Sequence, residues 1–142
     1  MKKTLWVGRI LVALSALFLL FDAAGHLMVP AAVVEAFNRL GYPLSLSPAL
    51  AIIELVCLVA YLIPRTAILG AILLTGYLGG AVATHLRVHD PVFDTLFPII
   101  FGVLIWAGLY LRDQRLRALI PITEPLPYGH GSLSPMSRIR AI

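Results

Sequence analysis

The chain has 142 residues, room for one packed unit and too few for two ordinary domains. Hydrophobic residues make up 60% of it and charged residues 13%, with a mean hydropathy of +0.93, so a water-soluble domain is excluded and an integral membrane protein remains. The formal charge of +4 does not point to nucleic acid, because the basic residues flank long apolar runs instead of lining one polar face, and the single cysteine, Cys57, excludes an internal disulfide, a CxxC pair or a thiolate zinc cage made by this chain alone.

The first span covers about residues 5–28; its apolar stretch, residues 5–21, is broken only by Arg9 and preceded by Lys2 and Lys3. Its downstream residues, Phe21-Asp22-Ala23-Ala24-Gly25-His26, make a poor signal-peptidase site with Asp inside it, so an uncleaved helix is expected. Between Pro30 and Gly41, Val33, Val34, Phe37 and Leu40 recur at helical spacing with Glu35, Asn38 and Arg39 opposite. This predicts a short amphipathic helix at the interface, too short to span and stopped by Gly41.

Residues 47–63 form a second span that contains one charge, Glu54, and ends at Pro64-Arg65. Residues 66–84 carry no charge and match the ~20 residues needed to cross a bilayer. After a polar stretch from His85 to Asp94, residues 95–111 make a fourth span with Pro98 in its first turn, where proline is tolerated. Arg112, Asp113, Arg115 and Arg117 stop it, and the Pro-, Gly- and Ser-containing segment 119–142 is expected to be a disordered cytoplasmic tail. The expectation is an all-α four-transmembrane-helix bundle over residues 1–118.

Four spans put both termini on one side. That side would hold Lys2, Lys3, Arg9, Arg65, Arg112, Arg115, Arg117, Arg138 and Arg140, against Arg39 and Arg87 on the other, so both termini are expected in the cytoplasm. Asp22, His26, His85 and Asp94 then gather at the outer end, and Glu54 lies roughly 9 Å below it at 1.5 Å per helical residue. Two readings stand for Glu54: a neutral hydrogen-bonding strut between helices, or a group that handles protons or a ligand. His85 is expected to face it, although a depth difference of roughly 15 Å demands tilt or a kink.

The pairs Asp22/His26 and His85/His89 have the i,i+4 spacing that could grip a metal ion, with Glu54 completing a ligand set. His-x3-His is common by chance, so no metal site is assigned. Arg87 is a candidate for holding an anionic ligand group beside Glu54. Gly76-x3-Gly80, with Gly79 and Ala83, offers a smooth strip expected to pack inside the bundle. Cys57, one turn from Glu54, reads as a small core residue. No phosphate loop, nucleophile elbow, HExxH or CxxCH motif occurs.

The segment Phe37-Asn-Arg-Leu-Gly-Tyr-Pro43, the Glu54 of Ile-Ile-Glu-Leu-Val, the Ile-Pro-Arg65 break, Leu69-Gly70-Ala71 and Gly79-Gly80-Ala81-Val-Ala-Thr-His85 together resemble the DoxX-like membrane proteins over about residues 5–118. The resemblance implies a four-helix membrane bundle, mostly bacterial, in a family named after a small subunit of a thiosulfate:quinone oxidoreductase. The resulting expectation is a bacterial inner-membrane protein whose outer-leaflet pocket, lined by Asp22, His26, Glu54, His85 and Arg87, binds a quinone or another small apolar molecule within a membrane redox system. A redox partner or a second copy of the chain would complete it. The alternative is a non-catalytic scaffold or assembly factor for a partner protein.

Overall fold

A computed structural model describes residues 2–120. Among these residues every element is helical: α1 Lys2–Met28, α2 Ala31–Leu40, a 3-10 turn Leu44–Leu46, α3 Ser47–Leu62, α4 Ala67–Arg87, α5 Val92–Arg112 and α6 Gln114–Leu119. Four helices are long and apolar enough to cross a membrane, spanning Lys3–Met28, Leu44–Leu62, Ala67–Arg87 and Val92–Arg112. They pack in a closed ring in which α1 touches α3 and α5, and α4 touches the same two. The terminal end of the bundle carries the start of α1, the end of α5 and the α3–α4 turn. The loop end carries α2 and the α4–α5 connection.

The apolar faces are arranged inside-out relative to a soluble protein. Large side chains such as Phe21, Met28, Ile52, Val56, Ile72 and Val103 point outward, while the interior is filled by Val12, Leu19, Leu58, Tyr61, Leu74, Ile105 and Leu109. Tyr61, fully buried, donates its hydroxyl to the Ile105 carbonyl at 3.0 Å and so ties α3 across the bundle to α5. On the α4–α5 flank the Trp106 indole N–H donates to the Thr75 hydroxyl at 2.8 Å.

Close backbone approach is made by glycines other than those the sequence marks. A Cβ on Gly70 would lie 2.1 Å from the Tyr61 nitrogen, so α4 and α3 meet there backbone to backbone. Gly8 and Gly108 do the same between α1 and α5, where an added Cβ would fall 3.0 Å from Arg112 N or the Val12 side chain. Gly76, Gly79 and Gly80 have nothing within 4 Å of an added Cβ, which corrects the expectation that their strip packs inside the bundle. The interior face of α4 is Gly70, Ala71, Leu74 and Leu78, and the glycine strip lies on its outward side.

Three boundaries differ from the sequence reading. The third span continues to Arg87, so His85 is helical; α5 starts at Val92, which puts Asp94 in its first turn and Pro98 in its second; and α6 follows Arg112, with the Asp113 carboxylate accepting from the Arg115 N–H at 2.8 Å as its N-cap. A helix does form at Ala31–Leu40, with Phe37 buried and Glu35, Asn38 and Arg39 exposed. Gly41, at φ 70°, ends it in a Schellman motif: Gly41 N–H bonds Asn38 O at 3.2 Å and Tyr42 N–H bonds Phe37 O at 3.0 Å. Residues 121–142, most of the expected tail, lie outside the described residues.

Candidate functional site

The loop end of α1 and the start of α3 are pinned together by one hydrogen bond. The helix end leaves the His26 carbonyl without an intrahelical donor, and the Ser47 hydroxyl fills that role at 2.7 Å. This fixes the register of two antiparallel helices. Side chains on a helix lean toward its N-terminus, so Asp22 and His26 on α1 lean back into the bundle while Glu54 on α3 leans up toward the loop end. The three converge: one donor atom from each of Asp22, His26 and Glu54 lies within 4.8 Å of the other two.

Local geometry assigns each group a place. His26 lies one turn after Asp22, and its Nδ1 sits 3.1 Å from the Asp22 carbonyl and 3.5 Å from Asp22 Oδ2. The Phe37 ring of α2 packs edge-on to the His26 ring with centroids 5.8 Å apart, so the short helix closes over the histidine. The Tyr77 hydroxyl of α4 donates to Glu54 Oε2 at 3.4 Å. Glu54 is fully buried, and its Oε1 has no hydrogen-bond partner. Asp22 is the most open member, with 43% of its side chain exposed against 17% for His26.

The remaining candidates form a separate rim. His85 Nδ1 is 2.6 Å from Asp90 Oδ2, and Arg39 of α2 reaches both Asp90 and Asp94 at 3.4 Å. Arg87 donates to the Leu40 carbonyl at the end of α2 and stacks over the Tyr42 ring at 5.6 Å, while the Tyr42 hydroxyl bonds the Thr84 hydroxyl at 3.0 Å. Thus His85 is bonded to Asp90 and Glu54 to Tyr77, in place of the expected His85–Glu54 pair. The rim ties α2 to α4 and α5; the inner cluster joins α1, α3 and α4.

Tyr77 is the cluster member the sequence reading missed, and the signal was present. Glu54 lies ten residues before Pro64 and Tyr77 twelve after Arg65, so on adjacent antiparallel helices they reach nearly the same depth. A cavity of about 530 Å3, lined by Leu5, Arg9, Pro64, Arg112, Asp113, Gln114 and Arg115, lies at the opposite, terminal end. It belongs to neither group of candidates.

Two carboxylates, an imidazole and a phenol in an apolar bundle can hold a proton, a hydrogen-bonding ligand or a cation. All four lie inside the stretch from residue 10 to 108, which the profile of the DoxX-like family matches. The chain belongs to the DoxX-like family. Family membership, with four helices of spanning length and apolarity, makes this a multi-pass membrane protein. Comparisons with curated proteins and with solved structures find no match.

Proposed function

We propose that this DoxX-like protein binds a small amphipathic molecule, a quinone by preference, through the Asp22–His26–Glu54–Tyr77 cluster, and serves a membrane redox system. The observation that carries the reading is the orphaned Glu54 Oε1, buried beside a second carboxyl group and a histidine. A group left so costs about 1–3 kcal/mol or more in stability, an expense that a ligand would offset. A protonated Oε1 donates to a carbonyl oxygen; an ionised one accepts from a hydroxyl. His26 and Asp22 stand next to it as the route by which a proton enters or leaves toward the loop end. When bound, a quinone supplies the electron chemistry that no side chain here performs reversibly.

The basic residues support an orientation with both termini in the cytoplasm, which puts the cluster in the outer leaflet of a bacterial inner membrane and lays α2 along the interface. The competing reading is a scaffold for a partner protein, favoured by the outward glycine strip Gly76, Gly79 and Gly80, which no helix among the described residues covers. Purification from native membranes, with extraction and chromatography of bound lipids, separates the two. Quinone in stoichiometric amount in the wild type, and at least tenfold less in Glu54→Gln at equal yield of folded protein, supports the first reading. A stoichiometric protein partner without quinone contradicts it.

A further inference from the structure

We propose that Asp22, His26 and Glu54 together hold one divalent transition-metal ion. The inference rests on this cluster being the functional centre but not on a quinone being its ligand. The donor spacing fits first. Two ligands on one tetrahedral ion at ~2.1 Å bond length stand about 3.4 Å apart. His26 Nδ1 and Asp22 Oδ2 stand at 3.5 Å, and one donor atom from each of the three lies within 4.8 Å of the other two; to ligate through Nδ1, His26 carries its proton on Nε2 and gives up the Nδ1 contact with the Asp22 carbonyl. Small side-chain rotations on two helices already locked in register by Ser47 close the set around an ion.

Glu54 supplies the second, separate observation. Its Oε2 is taken by the Tyr77 hydroxyl, which fixes the carboxylate plane from outside the cluster, as an outer-shell donor does for a metal ligand. Its Oε1 is fully buried and has no partner among the fixed donors of the described residues, and the Asp22 carboxyl is the other group within hydrogen-bonding reach of the same side chain. Charge balance argues the same way. The arginines of the loop end are committed elsewhere, Arg39 to Asp90 and Asp94 and Arg87 to the Leu40 carbonyl, so no guanidinium serves the two carboxylates. An ion of charge +2 neutralises them where an apolar bundle would otherwise penalise them.

The donor set narrows the ion. One imidazole with two carboxylates suits Zn2+, Mn2+ or Fe2+; the nitrogen disfavours Mg2+ and Ca2+, and the lack of thiolate or thioether donors disfavours Cu+. Three protein ligands leave a position open for a water or a substrate oxygen, the pattern of reactive rather than purely structural sites. Asp22, with 43% of its side chain exposed, is the member of the set through which an ion gains access.

The probe is Co2+, added to purified, chelator-stripped full-length protein in detergent and read by its visible d–d absorption and by calorimetric stoichiometry. One Co2+ per chain, displaced by Zn2+, is expected. Glu54→Gln and His26→Ala should each weaken it at least tenfold. His85→Gln, altered at the rim, should leave the affinity within about threefold, and thermal unfolding of each variant shows that it is folded. Should the cluster variants fail to fold, the wild type and His85→Gln still decide, together with the band energy and intensity that mark four-coordinate Co2+ bound by nitrogen and oxygen. A silent wild-type titration, or loss of binding in His85→Gln with retention in His26→Ala, overturns the proposal. Quinone content of the same preparation is read independently: a saturable titration supports the metal in its absence, and a silent one removes the metal in its presence.

Discussion

Ser15 and Glu54 each carry a fully buried polar atom without a partner, yet they invite opposite expectations. Ser15 stands on α1 away from any charged neighbour in the cluster, so its hydroxyl is a plain cost. Ser15→Ala should leave thermal stability unchanged or raise it by up to about 1 kcal/mol, and a loss of more than that would reveal a bond the hydroxyl makes. Tyr77 makes the contrary case. Tyr77→Phe keeps the ring and removes the donor to Glu54 Oε2, so it should cost about 1 kcal/mol in unfolding and weaken ligand retention at the cluster about tenfold or more. Normal retention in that variant would show that Glu54 needs no orientation from α4.

At the scale of helices, the sequence announces existence and boundaries well and rotational phase poorly. Charge-free runs and the breaks at Gly41 and Pro64-Arg65 mark the elements, because turn chemistry is local. Which glycines face inward is not local. In a membrane helix the lipid side is as apolar as the core, so hydropathy does not distinguish Gly70, jammed against Tyr61, from Gly76 and Gly80, facing outward. The same blindness hid the Tyr77–Glu54 pair behind the more eye-catching His85, although depth arithmetic from the α3–α4 turn favoured the tyrosine. Asp22 and His26 were legible as a pair because i,i+4 spacing is geometry fixed within one helix. The contrast is testable: Gly70→Ala should abolish accumulation of folded protein, since backbone atoms cannot yield, whereas Gly76→Ala should fold normally and gain up to about 1 kcal/mol from helix propensity. Equal behaviour of the two would refute the phase of α4.

For the whole molecule, the ring of four helices sets a cluster of polar groups at the loop end against a basic terminal end, and function depends on which end faces which compartment. The basic residues predict that a reporter fused after Ile120 reads as cytoplasmic and one inserted near Pro43 as external. The reverse result would move the cluster to the inner leaflet and remove an extracytoplasmic source for its ligand. The central claim, that Glu54 is retained for binding and not for holding helices together, is tested most directly by unfolding temperature and ligand occupancy measured side by side for Glu54→Gln and Glu54→Leu. The account predicts that Gln unfolds within about 1 kcal/mol of wild type, that Leu is equally or more stable, and that both lose the ligand. A Gln variant with full occupancy, or a Leu variant that unfolds readily because helices α3 and α4 separate, would contradict it.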